Sequence, residues 1–147
     1  MKHLIKNWMT KDPKKIDVNK DIDIAKEIFL EEFIRHLLVT DQGELVGVLT
    51  QHDLEAVEKI KSKFQGVDCL NIKITAGDLM GRSPVKIDGD SSMDEAMRIM
   101  DQRHFHSLVV VDNAGETAGI LTSTDVMKYA LVCLKQSESY NASVREG

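Results

Sequence analysis

The sequence has no long hydrophobic run and no excess of positive charge. None of its 147 residues belongs to an apolar stretch approaching the roughly 20 residues that a membrane-spanning helix needs. The residues before Trp8 contain no apolar segment long enough for a secretory signal, so we expect a cytoplasmic protein that does not bind membranes. Its 24 acidic residues outnumber its 19 basic residues, and no Lys/Arg block stands out. This balance argues against a nucleic-acid-binding surface.

Cysteine is also scarce. The two cysteines, Cys69 and Cys133, have no second cysteine or histidine at metal-ligand spacing. A disulfide framework is therefore not indicated, and neither is a zinc site. We interpret both residues as free thiols in a reducing compartment.

The most informative feature present is an internal duplication. Met9 matches Met80, 71 positions later, and this register continues until one added residue in a turn shifts the spacing to 72. An insertion costs least in a turn. We therefore expect a first repeat at residues 8–62, a linker packed on the module at 63–78, a second repeat at 79–135 and a frayed polar tail at 136–147.

Hydrophobic periodicity predicts the order β-α-β-β-α in each repeat. A short strand (14–18 and 85–87) precedes an amphipathic helix, a hairpin of two apolar strands follows, and a closing helix begins at Gln51 and at Ser123. The helix positions expected to face the core are Ile22, Ala25, Ile28, Phe29, Phe33, Leu54, Val57 and Ile60 in the first repeat, and Met93, Ala96, Met97, Met100, His104, Val126, Tyr129, Ala130 and Cys133 in the second.

A unit of about fifty residues is too small to bury both faces of its sheet. We therefore expect an α+β fold in which the tandem repeats pack sheet to sheet with pseudo-twofold symmetry. Two equivalent clefts would lie between the sheets as candidate ligand sites. Apolar helix faces left uncovered favour a homodimer.

The same motif, Gly-x-x-Thr-x-x-Asp, joins a strand to the closing helix in both repeats. One interpretation is a capping box, in which Thr caps the helix and Asp reaches back to the cap amide. The other is a binding site, because a helix N-terminus attracts phosphate and an Asp can accept hydrogen bonds from ribose hydroxyls. The two interpretations are compatible. The motif residues are Gly47, Thr50 and Asp53, and Gly119, Thr122 and Asp125. In the binding interpretation the two glycines would let the ligand approach the backbone.

These features resemble the cystathionine-β-synthase (CBS) domain, which occurs in tandem pairs called Bateman modules. The resemblance covers nearly the whole chain. It rests on the Met-x-x-x-Pro segments at Met9 and Met80, on the apolar segments 34–41 and 105–112, and on both Gly-x-x-Thr-x-x-Asp motifs. It implies regulatory binding of AMP, ADP, ATP or S-adenosylmethionine in the clefts, with no catalysis and no cofactor.

The resemblance also implies roles for individual residues. The threonines would meet phosphate or nearby polar groups, the aspartates would meet ribose, residues of each first strand would flank adenine, and a basic residue before the next strand would contact phosphate. For that basic residue, a surface charge or a half-buried polar position is an equal alternative. The residues are Thr50 and Thr122, Asp53 and Asp125, Lys15, Ile16, Lys86 and Ile87, and Arg35 and His106.

Other functions stay open at this point. A metal site at His104, His106 and His52 is disfavoured, because alternate strand residues point to opposite faces and no further ligand completes the set. An enzyme using Asp53 or Asp125 lacks an accompanying nucleophile elbow, Walker loop or GxGxxG motif. The strongest rival is a partner-binding or dimerisation scaffold whose clefts stay empty. A sensor would need a separate protein effector, self-assembly or a further domain for its output.

Overall fold

The structure is a computed structural model that describes residues 3–63 and 73–146. The predicted packing of linker residues 64–72, including Cys69, lies outside the described residues. The chain divides into two compact units: the first is Pro13–Pro84, and the second combines the residues up to Asp12 with those from Val85 onward. The α+β class and the β-α-β-β-α order of both repeats are confirmed.

The described elements follow one another in an order that shows the duplication. A 3-10 turn (Ile5–Asn7) is followed by β1 (Thr10–Lys11), β2 (Lys15–Asp17), α1 (Ile22–Glu32), β3 (His36–Asp41), β4 (Glu44–Thr50), α2 (Gln51–Lys63), α3 (Ala76–Leu79), β5 (Gly81–Arg82), β6 (Lys86–Asp88), α4 (Met93–Arg103), β7 (Ser107–Val111), β8 (Thr117–Thr122) and α5 (Ser123–Glu146).

Each unit contains one four-stranded sheet. The first unit has the strand order β2-β3-β4-β5, and the second has β1-β8-β7-β6. The pairs β2–β3 and β6–β7 are parallel, and the remaining pairs are antiparallel. Leu38 and Val109 lie in β3 and β7 and are each 1% exposed, as expected of a buried strand.

The core of the first unit uses most of the predicted helix positions. Ile22, Ala25 and Phe29 of α1 are buried. Phe33 is 92% exposed, so its predicted burial is wrong. It is the residue that ends α1, with a left-handed φ of 54°, and the chain turns away from the helix there. Ile60 of α2 is also exposed, against the prediction.

The second unit repeats this arrangement. Met93, Ala96 and Met100 of α4 are buried, and Tyr129 of α5 joins them in one cluster. His104 ends α4 with a φ of 56° and is exposed, which corrects its predicted core position for the same reason as in α1.

The predicted frayed tail at residues 136–147 is wrong for the described part. Helix α5 continues to Glu146. No glycine or proline interrupts the segment before Gly147, so the hydrogen-bond ladder begun over the core extends through it. Tyr140 and Val144 on this extension are 69% and 59% exposed.

The compact units are offset from the sequence repeats. Strand β1 belongs to the first repeat by sequence, but Thr10 pairs with Ile120 of β8. Strand β5 belongs to the second repeat, but Gly81 pairs with Val48 of β4. Each repeat thus places its leading segment on the sheet edge of the other unit. Residues 8–12 and 79–84 therefore fall outside the compact unit formed by the rest of their own repeat.

Candidate functional site

Sheet register gathers most of the predicted site residues at one end of each sheet. Thr50 at the end of β4 lies opposite His36 at the start of β3, and Lys15 of β2 lies beside Leu38. In the second unit Thr122 lies opposite Ser107, and Lys86 lies beside Val109. The end of one strand, the starts of two others and a helix N-terminus therefore meet at one junction per unit.

The first junction is a capping box. The Thr50 N–H donates to Asp53 Oδ2 at 2.9 Å, and the Asp53 N–H donates to Thr50 Oγ1 at 3.2 Å. This confirms the capping interpretation for helix α2. Asp53 is partly exposed, and its Oδ1 accepts no hydrogen bond from the described part of the chain. That oxygen has capacity for a ligand hydroxyl.

The second junction has the same cap and further donors. Asp125 Oδ2 accepts from the Thr122 N–H at 2.9 Å and from the Thr122 hydroxyl at 3.1 Å. The Thr10 hydroxyl lies 3.3 Å from each carboxylate oxygen of Asp125. Asp125 is 7% exposed, and within residues 3–63 and 73–146 its carboxylate is satisfied by these donors and not by an ion pair.

Thr10 contacts the candidate site, and sequence reasoning missed this contact. The sequence places Thr10 in a Met-x-x-x-Pro segment and predicts no partner for its side chain. A signal was present in the repeat, because the position 71 residues later is Gly81, which has no side chain to make the same contact. The difference between Thr10 and Gly81 matters only because β1 lies along β8, and no local sequence pattern predicts this pairing.

The prediction that Gly47 and Gly119 let a ligand approach the backbone is wrong. A Cβ on Gly47 would lie 2.5 Å from Met80 Sδ and 2.7 Å from the Gly81 carbonyl oxygen. A Cβ on Gly119 would lie 2.5 Å from the Thr10 carbonyl oxygen. Both glycines instead admit the edge strand contributed by the other repeat.

The two basic candidates lie next to the helix N-termini through their backbones. The Arg35 carbonyl accepts from the Gln51 N–H, and the His106 carbonyl accepts from the Ser123 N–H, each at 3.0 Å. Both side chains are exposed, which corrects the half-buried alternative for His106. Arg35 and His106 therefore lie next to the starts of α2 and α5 in the chain fold, with side chains open to solvent.

The candidate residues of β2 and β6 differ in side-chain exposure. Ile16 and Ile87 are 5% and 6% exposed and pack in the cores of their units, so their side chains are unavailable to a ligand. Their strands are terminal in the two sheets, which leaves backbone groups at the edge. Lys15 and Lys86 are exposed.

A separate groove lies in the first unit. It occupies about 320 Å³ between α1 and α2, with Phe29, Leu30 and Leu54 among its lining residues. Lys26 and Glu58 at this groove approach to 3.6 Å. The groove includes none of the predicted ligand-contacting residues.

Residues 3–63 and 73–146 contain neither a cluster of metal ligands nor a membrane-spanning helix. Within these ranges, no three histidine, cysteine, aspartate or glutamate residues are grouped as a metal would require. The helices of the same ranges include none with the length and apolar character needed to cross a membrane. Cys133 is a free, partly buried thiol.

Comparison with known proteins links the fold to a family. The family model described as CBS domain matches residues 5–59 and 76–132. The chain is 30% identical over 114 residues to protein MJ1232 of Methanocaldococcus jannaschii, a match that covers 77% of this chain and 34% of that protein. It is 27% identical over 139 residues to the chloroplastic CBS domain-containing protein CBSX2 of Arabidopsis thaliana, covering 80% and 58%. The chain thus spans less than two thirds of either relative.

Solved structures of similar fold carry bound adenosyl compounds. One is CBSX2 in complex with AMP, with a TM-score of 0.70, 30% identity, and coverage of 90% of this chain and 98% of that one. Another is the CBS domain pair of protein MJ0100 in complex with 5′-methylthioadenosine and S-adenosyl-L-methionine, with a TM-score of 0.70, 27% identity, and coverage of 86% and 98%. These ligands all contain adenine linked to a ribose ring with free 2′ and 3′ hydroxyls.

Proposed function

The chain belongs to the CBS domain family, and from this premise we propose that it is a regulatory module that binds an adenosyl-containing ligand at its strand-to-helix junctions. The ligand would be AMP, ADP, ATP or S-adenosylmethionine, and the protein would release it without converting it. Support comes from the AMP, 5′-methylthioadenosine and S-adenosylmethionine bound in the similar structures.

One observation carries the proposal: the first junction combines a free carboxylate oxygen with a helix N-terminus. Asp53 is held by Thr50 through one oxygen, while Oδ1 accepts no bond from the described residues. A ribose hydroxyl can donate to that oxygen. The N-terminus of α2 and the exposed Arg35 beside it would favour a phosphate or another anionic group.

Regulation requires that the ligand distinguish two states of the protein. A ligand shifts such an equilibrium only by its difference in affinity for the two states. We propose that the output passes to a separate protein or through self-assembly, and that the protein acts in the cytoplasm. The relative CBSX2 is named as chloroplastic. Microscopy of the tagged protein in its own cells tests the proposed compartment.

Isothermal titration calorimetry with AMP, ADP, ATP and S-adenosylmethionine tests the proposal. We expect saturable binding of at least one compound and its recovery intact. Asp53→Ala should remove binding at the first junction and Asp125→Ala at the second. The matched control is Asp78→Ala, because Thr75 and Asp78 form a capping box of the same kind in α3, outside the junctions.

Two results would contradict the proposal. If the parent protein bound none of the four compounds, a partner-binding scaffold with empty junctions would be favoured. If the recovered compound were chemically converted, the protein would be an enzyme. Unchanged binding by both junction variants would refute the ribose assignment alone.

We also propose a homodimer that buries the groove between α1 and α2. Leu30 at this groove is 65% exposed, although it lies beside the buried Phe29. A second copy would remove this apolar surface from water. Leu30→Asp should then convert the dimer to a monomer in sedimentation velocity, whereas Asn19→Asp, which adds the same charge in an exposed turn, should not. A parent protein that sediments as a monomer would refute the dimer.

A further inference from the structure

The two junctions have the same backbone but different occupants of one position. Thr10 of β1 pairs with Ile120, and Gly81 of β5 pairs with Val48, so residues 10 and 81 hold equivalent places on equivalent strands. At the second junction this place carries a hydroxyl that lies 3.3 Å from both oxygens of Asp125. At the first junction it carries no side chain.

The difference changes the state of the aspartate. Asp125 is 7% exposed and has a donor at each oxygen, counting the bifurcated Thr10 hydroxyl. Asp53 is partly exposed, and its Oδ1 has no donor among the described residues. A hydroxyl donor from a ligand can add to Asp53 directly, but at Asp125 it meets a position already used by Thr10.

We propose that Thr10 is an internal competitor that makes the second junction the weaker of the two adenosyl sites. This inference rests on the proposed function and adds which site fills first. The Thr10 hydroxyl donates to the same carboxylate that would receive the ribose hydroxyls, so it competes with the ligand for the oxygens of Asp125. The first junction has no such competitor, because Gly81 replaces the threonine.

Two opposite changes test this inference: removing the hydroxyl at position 10 and adding one at position 81. Thr10→Val removes the hydroxyl and keeps the branched shape that suits a strand. In an Asp53→Ala background, which leaves the second junction as the binding site, Thr10→Val should tighten AMP binding about three- to tenfold, the net value of one ordinary hydrogen bond, because the Thr10 contact is long and shared between two oxygens. Thr10→Ser keeps the donor and should leave the affinity unchanged.

The opposite change should act on the other site. A Cβ on Gly81 would have its nearest contact at an ordinary 3.7 Å, from the Val48 carbonyl oxygen, and Gly81 is not among the positive-φ glycines. Gly81→Thr is therefore compatible with the fold. In an Asp125→Ala background we expect it to weaken AMP binding by a similar factor. Circular dichroism of each variant checks that the fold is retained.

The outcomes separate this inference from the function on which it rests. Tighter binding by Thr10→Val together with weaker binding by Gly81→Thr supports it. If Thr10 instead held the site in shape, Thr10→Val would weaken binding, and that result overturns the inference. Binding of AMP with unchanged affinity in both variants overturns it while leaving the proposed function intact. Failure of the parent to bind AMP, ADP, ATP or S-adenosylmethionine overturns both.

Discussion

The two units share one backbone plan but stabilise it with different side chains. Ile5 lies in the second unit and Ala76 in the first. They are 71 positions apart, and both are fully buried. Against these segments the second unit packs Tyr129, while the first places Val57 at the corresponding position of α2. Trp8 and His3 contact the ring of Tyr129 edge to face. The two units therefore keep the same arrangement of backbone segments while the side chains that pack between them differ.

What must not change is the close approach at the glycines. Both Gly47 and Gly119 lie where an edge strand from the other repeat crosses, with backbone oxygens within 2.7 Å of a Cβ position. Both units need glycine here for the same steric reason, since any side chain would displace the edge strand. The aspartates, by contrast, share a cap and differ in burial and in partners.

The largest effect is expected where the units are alike. Gly119→Ala and Gly47→Ala should each lower the free energy of unfolding by about 1–3 kcal/mol, because the new methyl group overlaps a backbone oxygen that cannot move without shifting β1 or β5. Urea denaturation followed by circular dichroism measures this. Gly81→Ala is the control and should stay close to the parent. Parent-like stability of Gly119→Ala would show that the edge strand is not held as the structure has it.

A smaller effect should distinguish the aspartates. Asp125→Ala should lower the free energy of unfolding by about 2 kcal/mol and Asp53→Ala by about 1 kcal/mol, because both lose a helix cap but only the former also loses hydrogen bonds from the Thr10 and Thr122 hydroxyls. Ligand-free urea denaturation at one pH gives both values. Equal losses would mean that the Thr10 contact adds nothing to stability, and the difference between the junctions would then be one of exposure alone.

Much of the fold could be predicted from the sequence because the duplication repeats its own evidence. The helix starts at Gln51 and Ser123 follow from a strand pattern ending in Thr-x-x-Asp, and the structure begins α2 and α5 at these residues. The ends of α1 and α4 were less predictable. Neither has a glycine to mark the left-handed residue, and Phe33 and His104 fit the helical period until the chain turns.

The candidate site was predictable in its residue types but less so in its contacts. The capping geometry of Thr50 with Asp53 is local and follows from spacing. The partner Thr10 is 115 residues from Asp125 and reaches it through an exchanged edge strand. Sequence periodicity describes faces within an element, whereas strand exchange is decided by tertiary packing. The burial of Ile16 and Ile87 similarly follows from the pleat of a sheet edge.

The smallest effect on stability is expected at Tyr129, an ionisable residue of the second core that has no counterpart in the first. Its hydroxyl lies 2.6 Å from His3 Nδ1, so Tyr129→Phe should lower the free energy of unfolding by about 1 kcal/mol near neutral pH. Tyr140→Phe is the matched control, because Tyr140 lies on the same helix and is 69% exposed. Loss of stability in the control alone would contradict the assigned contact.

The same tyrosine gives the second unit a dependence on alkaline pH. Burial, together with the Cys133 thiol, raises the pKa of Tyr129 from its ordinary 10 to about 12. Since the unfolded chain ionises first, the contribution of Tyr129 is complete below pH 10 and is lost as the pH rises towards 12. The difference in unfolding free energy between the parent and Tyr129→Phe should therefore shrink across this window, measured by urea denaturation at stepped pH. A constant difference would mean that the hydroxyl ionises equally in both states, and the second core would then be no more sensitive to alkali than the first, whose buried cluster contains no tyrosine.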